Sequence, residues 1–113
     1  MQIINWTTGK TAHMDKNEVI INVKQYSELI NQVIEHKKVI LFGSYAKGNA
    51  KELSDIDVAV FVDEIPDEYL NISKKLFKIA GTVDNRIEPI IVSEKNNQSG
   101  FVTDILKHGI VII

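Results

Sequence analysis

Two short apolar runs, 38–42 and 55–62, constrain the fold more than any other feature of this sequence. The first run, KVILF, ends at Gly43, and the second, DIDVAVFV, opens with Asp55 and Asp57. Runs of this length that are rich in β-branched and aromatic residues and bounded by turn residues are typical of buried strands. We therefore predict two strands here, each with polar residues at one end.

Helical periodicity appears in two segments, 17–36 and 66–81, where apolar residues recur mostly at steps of three and four. Pro66, followed by two acidic residues, suits the start of the second helix, because proline and negative charge both favour a helix N-terminus. Gly81 is predicted to end that helix. The residues predicted to face inward are Val19, Ile20, Val23, Tyr26, Ile30, Val33 and Ile34 in the first helix and Tyr69, Ile72, Leu76 and Ile79 in the second.

The remaining elements complete a small domain. A short helix is predicted over 44–47, a third strand over 86–92, and a last helix that Ser99 caps and Gly109 closes. A final strand follows at 110–113. The fold class is therefore α/β (α+β), a small mixed β-sheet with helices packed on it.

Length and composition limit the classes of protein. The 113 residues accommodate one domain, which we expect to span 14–113, and we expect 1–13 to be a vector-derived or extra N-terminal segment. The absence of cysteine excludes disulfides and thiolate metal sites and suits a reducing cytosol, so we expect a cytoplasmic protein. No apolar run is long enough to span a bilayer. A net charge of −2 does not favour direct binding of nucleic acid.

Asp55 and Asp57 are candidate metal ligands. Residues two apart on a strand point to the same side, so the two carboxylates can converge. At about 4 Å, two like charges repel by roughly 4 kcal/mol at an effective dielectric of about 20. A hard divalent cation with oxygen ligands would offset this repulsion. For these residues alone, an N-capping Ser54 followed by two solvated acids remains an alternative.

Gly43 and Ser44 form a candidate phosphate-binding turn. Glycine allows close approach of a ligand to the backbone, and N–H groups at a helix start, with a hydroxyl beside them, can hold phosphate oxygens. Gly43 and Gly48 are separated by four residues, which is also the spacing of the two glycines in a Walker A loop. That loop is excluded, because Asn49 and Ala50 stand where it requires lysine and serine or threonine.

Together, these residues form the pattern GSYAKG followed by SDID. It resembles the G-S-x-A-x-G…S-D-x-D signature of the polymerase-β nucleotidyltransferase superfamily, and in particular the minimal nucleotidyltransferases of prokaryotic toxin–antitoxin systems. The resemblance implies a polymerase-β-like fold in which Gly43 and Ser44 hold the triphosphate and Asp55 and Asp57 bind Mg²⁺. It also implies a third carboxylate on a neighbouring strand, and Glu88 is the matching position.

The resemblance further implies Mg²⁺ and ATP, or another NTP, as cofactor and co-substrate. Lys47 stands where relatives often carry arginine and would contact phosphate. Asp55 and Asp57 would bridge two Mg²⁺ ions, and Glu88 would complete the second metal or act as base. Glu88 differs from the aspartate of many relatives, and an exposed strand residue without a role remains its alternative.

The function that the resemblance implies is transfer of a nucleoside monophosphate, expected to be AMP, to a macromolecular acceptor. The expected acceptor is a HEPN-type helical ribonuclease toxin, for which this chain would be the antitoxin. One alternative is an antitoxin that neutralises its partner by binding alone. Another is a drug-modifying transferase of the aminoglycoside type, although those carry an acceptor-binding region for which a chain ending at Ile113 has no material. Homo-oligomerisation stays open.

Overall fold

The computed structural model describes residues 16–51 and 54–113, so the expectation for 1–13 lies outside the described residues. In the described part, helices and strands alternate along the chain. The helices are α1 (Lys16–Leu29), α2 (Ser44–Lys47), α3 (Tyr69–Val83) and α4 (Phe101–His108). The strands are β1 (Lys38–Phe42), β2 (Ile56–Phe61), β3 (Ile87–Val92) and β4 (Ile110–Val111).

The four strands form one mixed sheet in the order β3-β2-β1-β4. β1 pairs antiparallel with both β2 and β4, whereas β2 and β3 are parallel. Parallel neighbours need a long crossover connection, and α3 lies within the segment that joins β2 to β3. The predicted mixed sheet with packed helices is therefore confirmed.

Side-chain alternation along the strands divides the core into two layers. The first layer joins one sheet face to α1 and α3, and its buried residues include Val39, Leu41, Val58, Val60, Val23, Tyr26 and Leu76. The second layer joins the opposite face to α4 and is smaller, with Ile40, Ala59, Phe61, Val92, Val102 and Ile105. In the described part of the chain, the eight-residue helix α4 packs on this second face.

The two larger helices are joined by a buried hydrogen bond as well as by apolar contact. The hydroxyl of Tyr26 on α1 donates to the main-chain oxygen of Leu76 on α3 at 2.9 Å. Burial raises the pKa of Tyr26, because the phenolate would lose its hydration. None of the described helices is both long enough and apolar enough to cross a membrane.

Several predicted helix boundaries are wrong. The first helix ends at Leu29 and continues only as a 3₁₀ turn, Ile30–Gln32, instead of reaching His36. The second begins at Tyr69, because the chain first makes a turn in which the Tyr69 N–H donates to the Pro66 oxygen at 3.1 Å. It also passes through Gly81, whose backbone has no left-handed φ there. Tyr69, predicted to face inward, is 47% exposed.

The last helix also begins differently from the prediction. Ser99 lies in the left-handed region with φ 56°, and Gly100 is the N-cap residue. The side chain of Asn97 instead accepts hydrogen bonds from the N–H groups of Val102 and Thr103, at 3.0 and 3.3 Å. Such bonds satisfy donors that have no partner inside a helix. Gly109 closes α4 as predicted, with its N–H donating to the helix at 2.8 Å.

Candidate active site

Polar residues gather at one edge of the sheet, on the face that α4 partly covers. Phe42 on β1 pairs with Asp57 on β2, and Asp57 pairs with Glu88 on β3. In-register residues on adjacent strands point to the same face, and neighbouring strands lie about 4.8 Å apart. Asp55 precedes β2 directly. The structure therefore brings the three predicted acidic residues, Asp55, Asp57 and Glu88, to one place.

Gly43 supports Asp57 from the adjacent strand end. Its backbone has φ 75° and ψ −149°, close to a region that essentially only glycine populates. A Cβ atom at Gly43 would overlap the Oδ2 atom of Asp57 and lie 3.1 Å from its Cγ. The carboxylate therefore occupies the space that the missing side chain leaves. Gly43 links the predicted phosphate-binding turn to the predicted metal ligand.

The three carboxyl groups interact unfavourably with one another when ionised. Burial, followed by the charge of Asp55, raises the pKa of Asp57. Loss of hydration raises the pKa of Glu88, and the charge of Asp55, a hydrogen bond with it and the charge of Asp57 act in the same direction. No ion pair found among residues 16–51 and 54–113 involves any of the three. The site is thus a concentration of negative charge without a described basic partner.

A hard divalent cation fits this donor set, because carboxylate oxygens are its preferred ligands and its charge would relieve the repulsion. In the described part of the chain, however, no group of three His, Cys, Asp or Glu side chains is arranged as a metal-binding cluster. Asp55 and Glu88 are exposed, so their side chains can rotate at little cost. Asp57, half-buried against Gly43, is the most constrained of the three.

The predicted phosphate-binding turn is the short helix α2. The N–H of Lys47 donates to the oxygen of Gly43 at 3.1 Å, and the N–H groups of Gly48 and Asn49 donate to the oxygen of Ser44. The first N–H groups of such a helix have no partner within it. Ser44 is partly buried at the start of the turn, and Lys47 is exposed at its end. The phosphate-binding roles of Gly43, Ser44 and Lys47 stay predictions.

A second polar cluster beside the site was missed in the sequence. Tyr45 is buried, and its hydroxyl accepts a hydrogen bond from Arg86, whose guanidinium also binds Asp84. The available sequence signal was an acidic and a basic residue two positions apart before a strand, Asp84 and Arg86. This pattern is too common to predict an ion pair. Contact with Tyr45 becomes visible only when β3 lies beside β2.

Comparison with known proteins agrees with the fold and with the motif. The family described as "Polymerase beta, Nucleotidyltransferase" matches residues 13–113. A relative named "Putative protein adenylyltransferase" from Methanocaldococcus jannaschii is 35% identical over 101 residues, which cover 84% of this chain and 99% of the relative. The chain therefore belongs to the polymerase β nucleotidyltransferase family.

Three solved structures share the architecture. A crystal structure described as "a putative nucleotidyltransferase from Sulfolobus solfataricus" has a TM-score of 0.62 and 18% identity, covering 95% of this chain and 90% of its own. A "putative minimal nucleotidyltransferase" has a TM-score of 0.57 and 25% identity, covering 87% and 96%. A toxin–antitoxin structure with AMP-PNP has a TM-score of 0.59 and 23% identity, covering 81% and 72%. The predicted polymerase-β-like fold and the resemblance to minimal nucleotidyltransferases are confirmed.

Proposed function

We propose that this chain transfers AMP from Mg²⁺-bound ATP to a hydroxyl group of a partner protein, and that the partner is a HEPN-type helical toxin. One observation carries the proposal: the register of β2 and β3 sets Asp57 beside Glu88, while Gly43 brings the phosphate-binding turn against Asp57. A triphosphate on that turn would lie next to the three carboxylates. ATP is the nucleotide suggested by the adenylyltransferase name of the relative and by the AMP-PNP of the structural neighbour.

The proposed reaction is an in-line displacement at the α-phosphorus of ATP. The acceptor oxygen forms a bond to that phosphorus, the bond to the β-phosphate oxygen breaks, and pyrophosphate leaves with its electron pair. Asp55 and Asp57 would hold Mg²⁺, which when bound neutralises charge on the leaving phosphates. Gly43 and Ser44 orient the triphosphate, and Lys47 adds a positive charge beside it.

Glu88 has the environment of a general base. Its carboxylate would receive the proton of the acceptor hydroxyl. Its exposure allows an incoming hydroxyl to reach it. Its position in register with Asp57 supports this role over the alternative, a strand residue without a function.

A protein acceptor suits the surroundings of this site. The carboxylates lie on the sheet face on which α4 packs in the described part of the chain. Asp55 and Glu88 are exposed on that face. A second protein surface could therefore approach the three acids directly. The toxin–antitoxin assembly among the structural neighbours and the protein adenylyltransferase name of the relative both support a protein partner.

The proposal is tested by intact-mass measurement of the small helical protein encoded beside this gene, incubated with this chain, ATP and Mg²⁺. We expect the mass of that protein to increase by one or more AMP groups and its ribonuclease activity to fall. EDTA in place of Mg²⁺ should prevent both changes. An unmodified partner that is nevertheless silenced would favour the binding-only antitoxin, and an unmodified, active partner would exclude the antitoxin function.

Glu88→Gln should slow transfer by about 10²–10⁴-fold while nucleotide binding persists, because the amide cannot accept the proton but keeps the size of the side chain. Single-turnover transfer rates and calorimetry with Mg·ATP separate the two effects. The matched control is Glu28→Gln, which changes an exposed glutamate on α1. This helix packs on the sheet face opposite to that of the three carboxylates. Full activity in Glu88→Gln would show that the base is another group.

A further inference from the structure

The guanidinium group of Arg86 joins Tyr45 on α2 to Asp84, the residue that ends α3. Its Nη1 atom donates to the hydroxyl oxygen of Tyr45 at 3.1 Å. Its Nε and Nη2 atoms donate to the two carboxylate oxygens of Asp84 at 3.1 and 2.9 Å. The main-chain N–H of Arg86 donates to the same carboxylate at 3.0 Å. Such a two-pronged pair fixes the plane of the guanidinium and therefore the direction of its remaining donors.

The pair is shielded from water. The side chains of Arg86 and Asp84 are only 21% and 10% exposed, and Tyr45 is 5% exposed. Burial alone would raise the pKa of Asp84, but hydrogen bonds and charge from Arg86, with a hydrogen bond from Asn22 on α1, outweigh it and lower the pKa. Asp84 therefore stays ionised and holds the guanidinium in place. The Nη1 atom that donates to the Tyr45 hydroxyl is fixed in position as a result.

The location of this cluster gives it a connection to the site. Tyr45 follows Ser44 in the phosphate-binding turn, and Arg86 lies directly before β3, two residues before Glu88. The main-chain oxygen of Arg86 accepts a hydrogen bond at 2.8 Å from the N–H of Ile56, the residue between the two aspartates. Arg86 thus contacts the turn through its side chain and the aspartate-bearing strand through its backbone.

We propose that Arg86, oriented by Asp84, is a positioning residue that fixes the phosphate-binding turn relative to the three carboxylates through the hydroxyl of Tyr45. This inference rests on the proposed function, since it assumes that a triphosphate lies on the turn. Transfer requires alignment of the α-phosphorus with the acceptor, and small displacements at a reacting centre lower rates strongly. None of the three residues needs to touch the substrate.

Tyr45→Phe is the sharpest test, because it removes the hydroxyl and keeps the buried ring. We expect kcat to fall about tenfold, with the KM for Mg·ATP changed by less than about threefold, because the metal and phosphate contacts persist. The matched control is Tyr26→Phe, which removes another buried hydroxyl hydrogen bond, to Leu76; Tyr26 lies in the same core layer as Tyr45, but its bond joins α1 to α3 and does not involve the turn. It should lower the melting temperature to a similar extent without changing kcat at a temperature where both variants are folded.

Two further measurements distinguish positioning from general destabilisation. Amide hydrogen exchange of Lys47 and Asn49, which donate within the turn, should be faster in Tyr45→Phe than in Tyr26→Phe, with or without nucleotide. Arg86→Lys keeps the positive charge but cannot make the two parallel hydrogen bonds of the guanidinium group. Because both substitutions act on the same contact, the double variant with Tyr45→Phe should lose less kcat than the product of the two single losses.

Unchanged kcat together with unchanged exchange in Tyr45→Phe would overturn the inference, as would an equal loss of kcat in Tyr26→Phe. If the wild-type chain neither binds nucleotide nor transfers it, the proposed function fails. Faster turn exchange in Tyr45→Phe would then still support the structural link between Arg86 and the turn, and unchanged exchange would reject it.

Discussion

Asp57→Asn is expected to abolish nucleotidyl transfer while leaving the chain folded. Asparagine keeps the volume of the side chain against Gly43 but removes the charge that would bind Mg²⁺. Loss of several kcal/mol of charge stabilisation in the transition state corresponds to a decrease on the order of 10³-fold in rate. The measurement is AMP transfer to the partner by intact mass, with Asp67→Asn, an exposed aspartate before α3, as the matched control.

The same substitution should raise thermal stability in EDTA at neutral pH. Burial and the charge of Asp55 raise the pKa of Asp57 in the folded chain, so ionisation costs more in the folded than in the unfolded state. This penalty appears as the pH rises through the unfolded pKa, about 3.9, and is complete above the folded pKa. It is absent at lower pH, where both states are protonated.

The stability difference between Asp57→Asn and wild type should therefore be positive at pH 7 and shrink towards zero near pH 3.5. Thermal unfolding of both proteins in EDTA measures it. Loss of the Asp57 charge also removes one cause of the raised pKa of Glu88, and this adds to the difference in the same direction. Mg²⁺ with ATP should then stabilise wild type more than the variant. Transfer within tenfold of wild type, or a lower melting temperature at pH 7, would contradict the assignment of Asp57.

Gly43→Ala is expected to damage both stability and activity. A side chain at this φ and ψ costs about 1–3 kcal/mol of backbone strain. The new methyl group would also displace the Asp57 carboxylate, whose Oδ2 atom occupies that space. Misplacing a metal ligand by about 1 Å lowers rates on the order of 10²-fold. Denaturant unfolding and single-turnover transfer would measure the two losses.

Two other glycines provide controls for this substitution. Gly100 has φ 74° but open space around its Cβ position, so Gly100→Ala carries roughly 1–2 kcal/mol of left-handed strain without a clash. Gly81 lies inside α3 with open space, so Gly81→Ala should stabilise the chain by about 0.5–1 kcal/mol. Both should retain transfer. If Gly100→Ala loses as much activity as Gly43→Ala, the contact with Asp57 is not the cause.

The sequence determined those features whose physical cause is local. The run 38–42 forms β1 with the predicted bounds, because an apolar segment ending at glycine contains both its burial pattern and its stop. The short helix 44–47 also has the predicted bounds. The acidic pair and the glycine–serine turn could be predicted for the same reason, because each is a short continuous stretch of sequence. Family membership followed from that spacing.

Helix ends were less predictable, because packing competes with local signals. Pro66 was a good local signal, yet the chain makes a turn before α3 starts at Tyr69. Gly81 was a good stop signal, yet Leu76 and Ala80 are anchored in the core and the helix continues past it. A propensity difference of about 1 kcal/mol is smaller than what burial of such side chains contributes.

Only the tertiary structure decided how the site is assembled. Glu88 became a neighbour of Asp57 through the parallel register of β2 and β3, which the crossover through α3 sets. The contact of Asp57 with Gly43 and that of Arg86 with Tyr45 likewise join residues from different strands or strand ends. A sequence determines which side chains are present and their local periodicity. Contacts between distant segments depend on the order and register of the strands, which the packing of the whole core selects.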